Sequence, residues 1–125
     1  MVTPDGIERD ITLTSAAARY DDLWVRDAVG ESPLGRAEVL EMLALGEVIA
    51  RKAVYGRQLA VRSARRAGAS WAQIGAAIGV SKQAAWEAHG KWIDDQAEQH
   101  RQSDYQGLDE EQVETLRRLA GHADE

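Results

Sequence analysis

A stretch of the chain that is rich in arginine concentrates positive charge. Residues 51–86 contain seven basic side chains and no acidic one, whereas residues 1–50 carry 4 basic and 10 acidic groups and residues 87–125 carry 4 and 11. The basic residues of this cationic segment are Arg51, Lys52, Arg57, Arg62, Arg65, Arg66 and Lys82. Lysine and arginine replace the counterions around phosphates, so the segment has the chemistry to bind a polyanion despite a net charge of −6. The alternative is that it pairs with its acidic flanks.

The side chains that catalysis requires are not grouped in this sequence. There is no cysteine, and His89, His100 and His122 lack the spacing of a metal site. Neighbouring acids such as Asp94 and Asp95 point in different directions on a helix, so they do not converge as an acid–base pair. We therefore expect no enzymatic activity, no cofactor and no metal, with the histidines at the surface or at helix ends.

Residues 71–90, with the sequence WAQIGAAIGVSKQAAWEAHG, have the spacing of a helix-turn-helix. Gly79 can adopt the left-handed conformation that the turn needs, and Gly75 lets the two helices approach where it meets Ala85. The residues that we expect to face inward are Ile74, Ile78, Val80, Ala85 and Ala88. The pattern predicts two short helices that cross at nearly a right angle.

The stretch AGASWAQIGAAIGVSKQAAWEAHGKW, about a quarter of the chain, resembles the helix-turn-helix of small bacterial transcriptional regulators of the homeodomain-like and sigma-factor region 4-like class. In those proteins the pattern G-x-S-W-x-x-I-G-x-A-L-G-V-S-x-Q-A-A recurs. The residues that match it are Gly68, Ser70, Trp71, Ile74, Gly75, Ala77, Gly79, Val80, Ser81, Gln83, Ala84 and Ala85, with Ile78 in place of leucine. Beyond the pattern, Ala88 and His89 stand where such proteins often carry an arginine and an aromatic residue.

The resemblance implies a sequence-specific transcriptional regulator that binds double-stranded DNA, with the helix after Ser81 in the major groove. The residues implied to contact bases are Ser81, Lys82, Gln83, Trp86 and Glu87. Gln83 can pair with adenine through two hydrogen bonds, Lys82 can reach guanine or a phosphate, and Glu87 can accept from a cytosine amino group. The residues implied to contact phosphates are Arg62, Arg65, Arg66, Ser70 and Lys91.

Several of these residues have competing interpretations. We expect Trp71 in the core and Trp92 at its lower edge, away from DNA. Trp86 either contacts a thymine methyl group or a sugar in the groove, or packs on the preceding basic helix. Glu87 either reads a base or repels the phosphates. The three-helix unit can also bind protein rather than DNA.

The sequence before the motif predicts two helices that position it. The first begins after Thr14 or Ser15 and continues to about Val29. Its predicted buried residues are Ala17, Tyr20, Leu23, Trp24 and Ala28. The second helix is long, with Ser32 as its N-cap and Pro33 at its first position.

The long helix carries two apolar stripes. Their residues are Val39, Leu43, Gly46, Ala50, Ala53, Ala60 and Ala64 in the first stripe, and Leu45, Val48, Tyr55 and Leu59 in the second. One stripe can pack on the chain's own core and the other on a second copy of the chain, so we expect a homodimer. The alternative is that both stripes are buried within a single chain. Glycine is unfavourable inside a helix, so an alternative is that this helix breaks near Gly56.

Three further helices are each marked by an N-cap residue. They extend from Ser70 to Gly79, from Ser81 to about Gln99 and from Asp109 to Gly121. Ser70 with Gln73, and Asp109 with Gln112, have the spacing of capping boxes. We expect the last helix to bury Val113, Leu116 and Ala120.

These elements predict an all-α fold with a tri-helical helix-turn-helix core. We expect a helical scaffold and dimerisation region in residues 1–55, the DNA-binding region in residues 56–99 and an acidic helix or tail in residues 100–125. The first ten residues do not form a secretory signal and no stretch is apolar enough to span a membrane, so we expect a cytoplasmic protein. An alternative function is a protein-interaction module, like an antitoxin or a sigma-associated adaptor, whose acidic terminal segments bind a protein partner.

Overall fold

The fold is built from α-helices. A computed structural model describes residues 2–30 and 32–125, and 76% of the structure is helical. Within those residues there are six helices and no strand, which confirms the predicted all-α class. The helices are α1 (Pro4–Glu8), α2 (Leu13–Val29), α3 (Arg36–Arg66), α4 (Trp71–Ile78), α5 (Lys82–Gln102) and α6 (Glu110–Ala120).

The chain forms two compact units that divide between Gly56 and Arg57. The core of the first unit joins α2 to the first part of α3. It consists of Ala16, Leu23, Met42 and Leu45, against which Ile7, Ile11, Tyr20, Leu34 and Ile49 pack. The core of the second unit joins the end of α3 to α4, α5 and α6. It consists of Val61, Trp71, Ile74, Ala85, Ile93, Val113, Leu116 and Ala120.

Helix α2 begins earlier than the sequence indicates, and the predicted buried face is only partly correct: Leu23 is buried and Tyr20 packs against the same core, as predicted. Thr12 is its N-cap, since the Thr12 hydroxyl accepts a hydrogen bond from the Ser15 amide at 3.1 Å. The end at Gly30 is close to the prediction. The predicted burial of Ala17, Trp24 and Ala28 is wrong, because all three are exposed. The core lies on the side of Ala16 and Leu23, and the apolar residues of α2 extend too far around the helix for spacing alone to identify that side.

Helix α3 begins at Arg36 and continues without a break through Gly56. The predicted N-cap at Ser32 is wrong: the Val39 amide donates to the carbonyl of Gly35, so the first helical turn is closed three residues later. Leu34, which lies before the helix, packs against the first core.

The two apolar stripes of α3 have different surroundings in the first unit. Leu45 and Val48 of the second stripe are buried together with Met42. Leu43 of the first stripe is 64% exposed, and Ala50 and Ala53 are also exposed. Leu45 and Val48 of the second stripe are therefore buried in the chain itself, whereas Tyr55 and Leu59 of the same stripe are exposed. In the first stripe, Leu43, Ala50 and Ala53 face outward.

The helices of the second unit follow their local signals. Both predicted capping boxes are formed, at Ser70 with Gln73 and at Asp109 with Gln112. Helix α5 has Ser81 as its N-cap and ends at Gln102, three residues beyond the predicted end. The predicted burial of Val113, Leu116 and Ala120 is confirmed.

Candidate nucleic-acid interface

A three-residue turn joins α4 to α5. Gly79 has a left-handed backbone (φ 79°, ψ 28°), as the sequence predicts, and it ends α4. The Val80 amide then donates to the carbonyl of Gly75 at 2.9 Å, which closes the turn. The Ser81 hydroxyl accepts from the Ala84 amide at 3.0 Å and starts α5. The amides of Gly79, Val80 and Ala84 thus have local partners, which hold the start of α5 close to the end of α4.

Gly75 is required because the turn comes back against it. A Cβ atom at this position would lie 2.7 Å from the Val80 carbonyl oxygen and 2.9 Å from the Ser81 carbonyl carbon. Both distances are shorter than a carbon atom tolerates. The close approach predicted at Gly75 exists, but its neighbours are backbone atoms of the turn rather than the side chain of Ala85.

Three of the residues expected to face inward do not do so. Ile78 is 37% exposed and Val80 is 44% exposed, so Val80 does not fill the turn. Ala88 is exposed as well, and His89 takes the inward position next to it. The buried residues of α5 are Ala85, His89 and Ile93, which follow one another at intervals of four.

His89 is part of the core rather than a surface residue, so the expectation for this histidine is wrong. Its ring lies 5.6 Å from that of Trp71 and stacks at 5.4 Å on Trp92. Its Nδ1 forms a 2.9 Å hydrogen bond with the Gln58 side chain. Burial lowers the pKa of His89 to about 4, with a further lowering from the positive charges of Arg62 and Arg65 on α3. The imidazole is therefore neutral at physiological pH.

The predicted base-contacting side chains lie on the first two turns of α5 and at its cap. Ser81, Lys82, Gln83 and Glu87 are all exposed. Gln83 donates from Nε2 to Glu87 Oε1 at 2.9 Å, so these two side chains form a polar pair one helical turn apart. Lys82 Nζ lies 2.8 Å from Asp124 Oδ1 in the segment that follows α6.

Trp86 is held by the protein itself. It is half-buried against the second core, and its Nε1 donates to the carbonyl of Gly121 at 2.8 Å. The sequence suggests that Trp86 lies in the DNA groove or packs on the basic helix. The hydrogen bond to Gly121 is not expected under either interpretation. Trp71 is buried, as predicted, and its Nε1 donates to the carbonyl of Ala120 at 2.7 Å. Trp92 packs on the edge of the same core.

The predicted phosphate-contacting arginines face α6. Arg65 donates to the carbonyls of Leu119 and Ala69, and its guanidinium lies 5.1 Å from the centre of the Trp71 ring. Arg62 and Arg66 line a hollow of about 240 Å³ whose other residues belong to α6 and the loop before it. The structure thus groups these arginines with one another and with α6, and it places Lys82 and Gln83 on a different helix.

Ser70 and Lys91, the other predicted phosphate contacts, lie at the start of α4 and in the middle of α5. The Ser70 hydroxyl accepts from the Gln73 amide at 3.1 Å, so it is engaged in capping α4. Lys91 is exposed. The α4 amino terminus therefore presents backbone amides together with a capping hydroxyl that already has a donor.

The cationic segment is only partly neutralised by acidic side chains. Arg51 contacts Asp5 at 2.8 Å and Glu47 at 3.4 Å. Within residues 2–30 and 32–125, however, no carboxylate lies within 4.0 Å of Arg57 or Arg66. Charge in the second unit is therefore available for an external anion.

Sequence reasoning named Gly121 as the end of the last helix, but it did not find the contact of Trp86 with Gly121, the contact of Lys82 with Asp124 or the inward position of His89. The spacing of His89 from Ala85 and Ile93 is a signal that could have placed it in the core. The Lys82–Asp124 pair agrees with the alternative that the cationic segment pairs with its acidic flanks. The sequence does not indicate which residues meet, because these two are 42 positions apart.

Comparisons of the chain with protein-family models, with curated proteins and with solved structures find no match. In the described residues, no group of three or more potential metal ligands comes together. None of the helices in that part of the chain combines the length and the apolar character needed to cross a bilayer. The function must therefore be argued from the geometry of the second unit.

Proposed function

We propose that the chain is a sequence-specific regulator of transcription that binds double-stranded DNA through a helix-turn-helix formed by α4 and α5. The observation that carries this proposal is the junction between the two helices. A capped first helix, a left-handed glycine and a capped second helix follow within a few residues, and Gly75 has no room for a side chain. This arrangement leaves the first turns of α5 exposed, where a major groove can receive them.

Lys82, Gln83 and Glu87 are the base-reading residues in this proposal. The hydrogen bond from Gln83 to Glu87 orients the Gln83 amide before DNA arrives, since it fixes which end of the amide is the donor. Adenine offers both a donor and an acceptor to such an amide in the major groove. Glu87 therefore acts with Gln83 as one polar pair, with Glu87 as the acceptor that orients the Gln83 amide.

Positive charge on α3 and α5 of the second unit anchors the phosphates in this proposal. Arg66 and Lys91 are exposed, and we assign them phosphate contacts together with Arg62 and the amides at the start of α4 near Ser70. Arg65 has a different part in the proposal: its bonds to Leu119 and Ala69 hold α6 and the α3–α4 connection in place. Its contribution to DNA binding is therefore indirect.

A second copy of the chain completes the proposal. On one face of the first unit, Trp24 and Leu43 protrude, and beside them Ala17, Gly46 and Ala50 line part of a hollow of about 490 Å³. About a two-fold axis, the protruding side chains of each copy can enter the hollow of the other copy. Two copies would then present two recognition helices to a partly palindromic site.

Selection of bound sequences from a pool of random duplexes tests the function. We expect the wild-type protein to enrich one sequence, the Gln83→Ala variant to bind with a relaxed preference, and the Lys91→Ala variant to weaken binding to all sequences alike. Gln102→Ala is the matched control, because Gln102 lies at the other end of α5 and should leave the preference unchanged. Enrichment of no sequence at low salt, or an unchanged preference in Gln83→Ala, would contradict the proposal.

A further inference from the structure

The five residues after α6 form a closed turn that lies against the start of α5. Gly121 has a positive φ of 58°, and its carbonyl accepts the hydrogen bond from Trp86. The His122 amide donates to the Glu125 side chain at 2.8 Å, and the Glu125 amide donates to the His122 carbonyl at 3.0 Å. We refer to residues 121–125 as the acidic turn. Its own hydrogen bonds keep it folded back rather than extended.

The acidic turn places a carboxylate on a lysine of the proposed DNA-binding surface. Asp124 Oδ1 accepts from Lys82 Nζ at 2.8 Å, which is the length of a charge-assisted hydrogen bond. This bond is also the main reason why the pKa of Asp124 is lowered, so the carboxylate is ionised at neutral pH. A phosphate oxygen on DNA would offer Lys82 the same chemistry, a negatively charged oxygen acceptor.

The two contacts of the acidic turn differ in accessibility. The side chains of Lys82 and Asp124 are 49% and 87% exposed, and an ion pair so open to water contributes little to stability. The bond from Trp86 to Gly121 is half-buried and therefore less open to competition from water. The first contact can be exchanged easily, while the second keeps the turn close to α5.

We propose that the acidic turn is an autoinhibitory element, in which Asp124 occupies Lys82 until the phosphate backbone of double-stranded DNA displaces it. This inference rests on the proposed function, because it names the group that competes for the same lysine. Displacement leaves Gly121 bound to Trp86, so Asp124 stays near and returns to Lys82 when the DNA leaves. The acidic turn thereby weakens the affinity for DNA in general. It favours duplexes that make further contacts with the protein besides the one to Lys82.

Neutralising Asp124 tests the competition. We expect Asp124→Asn to tighten binding to a mixed-sequence duplex roughly 2- to 5-fold at low salt, as the loss of an exposed ion pair allows. The dependence of log affinity on log salt should change little, because Lys82 contacts the same phosphate in both bound proteins. The matched control is Asp104→Asn, which removes the same charge from an exposed loop residue and should change affinity less than about 2-fold. Fluorescence anisotropy titrations at several salt concentrations measure both quantities.

A second pair of variants tests whether the effect passes through Lys82. In a Lys82→Ala background, Asp124→Asn should have no more effect than Asp104→Asn. Equal effects of Asp124→Asn and Asp104→Asn in the wild-type background would overturn the inference while leaving DNA binding intact. Failure of every variant to bind any duplex would overturn the proposed function, and the inference with it.

The contact in the free protein can be examined without DNA. An NMR titration of the Asp124 carboxyl group should give a pKa below the ordinary aspartate value, and the Lys82→Ala variant should restore it. An ordinary pKa in the wild-type protein would show that Asp124 does not hold Lys82 in solution, and it would overturn the inference whatever the DNA measurements give.

Discussion

The ionisable side chains of His89 and Arg65 form hydrogen bonds within the second unit. His89 lies between two tryptophan rings in its neutral form, with one ring nitrogen bonded to Gln58. Arg65 uses its guanidinium to bond two backbone carbonyls. Protonation of His89 would therefore place a charge in the core. The guanidinium of Arg65 is used to join α6 to the α3–α4 connection.

The buried imidazole of His89 makes stability depend on pH. Its pKa is about 4 in the folded protein and about 6.5 in the unfolded chain, so between these values only the unfolded chain binds the proton. Stability should therefore be highest above about pH 6.5 and should fall, by up to about 3 kcal/mol, as the pH decreases through the window towards 4. Urea unfolding at a series of pH values measures this loss.

Two variants isolate the contribution of His89 to the dependence of stability on pH. His89→Gln cannot titrate, so its stability should change less between pH 6.5 and 4 than that of the wild-type protein, even if it is less stable throughout. Gln102→Ala, at an exposed position and without loss of a titratable group, should keep the wild-type dependence of stability on pH. The same slope in His89→Gln and wild type would contradict the neutral, buried state of this histidine.

At the scale of helices, the glycines of the second unit have unlike surroundings. Gly75 faces the backbone of the turn at distances too short for a methyl group, whereas nothing lies within 4 Å of a methyl group at Gly90 in α5. The two residues form a natural matched pair, because both are in helices and only one is in contact with a neighbouring element.

Substitution of these glycines by alanine should have opposite effects. Gly75→Ala forces α4 away from the turn and should lower the free energy of unfolding by about 1–3 kcal/mol or more. Gly90→Ala removes backbone freedom from the unfolded chain and should raise it by about 0.5–1 kcal/mol. Urea unfolding measures both. Gly75→Ala with wild-type stability would show that α4 and the turn do not approach as closely as the structure indicates.

The sequence predicts the capped helix starts of the second unit correctly, whereas the starts of α2 and α3 and several buried positions differ from the prediction. The capping boxes at Ser70 and Asp109 and the terminal glycine Gly79 act through hydrogen bonds within a few residues, so a local pattern contains them. The exposure of Trp24 and the burial of His89 depend on which neighbouring helix packs there. The ion pair of Lys82 with Asp124 joins residues far apart in the chain, and periodicity has no information about such a pair.

At the scale of the whole molecule, apolar side chains stay exposed on one face of the first unit among the residues that the structure describes. Leu43 and Trp24 are each more than half exposed, although both are large apolar side chains. Large apolar side chains exposed together on one face mark an interaction surface more often than exposure of a single one does. This surface is the basis for the proposed second copy.

Leu43→Glu should dissociate the dimer without disturbing the core, because the side chain is already exposed in the single chain. Sedimentation velocity should give twice the chain mass of 13.7 kDa for the wild-type protein and the chain mass for the variant. Val29→Glu is the control, since Val29 is an equally exposed apolar residue at the end of α2 and away from the hollow. A wild-type protein that is monomeric at all accessible concentrations would contradict the proposed pairing.

Mapping of NMR chemical shifts on addition of duplex DNA tests most directly whether α5 is the recognition helix. We expect the largest amide shifts at residues 81–87, a shift of the half-buried Trp86 indole and almost none for the buried Trp71 indole. Shifts confined to residues 1–56, or no shift at low salt with any duplex, would contradict the assignment of α4 and α5 as the DNA-binding helices.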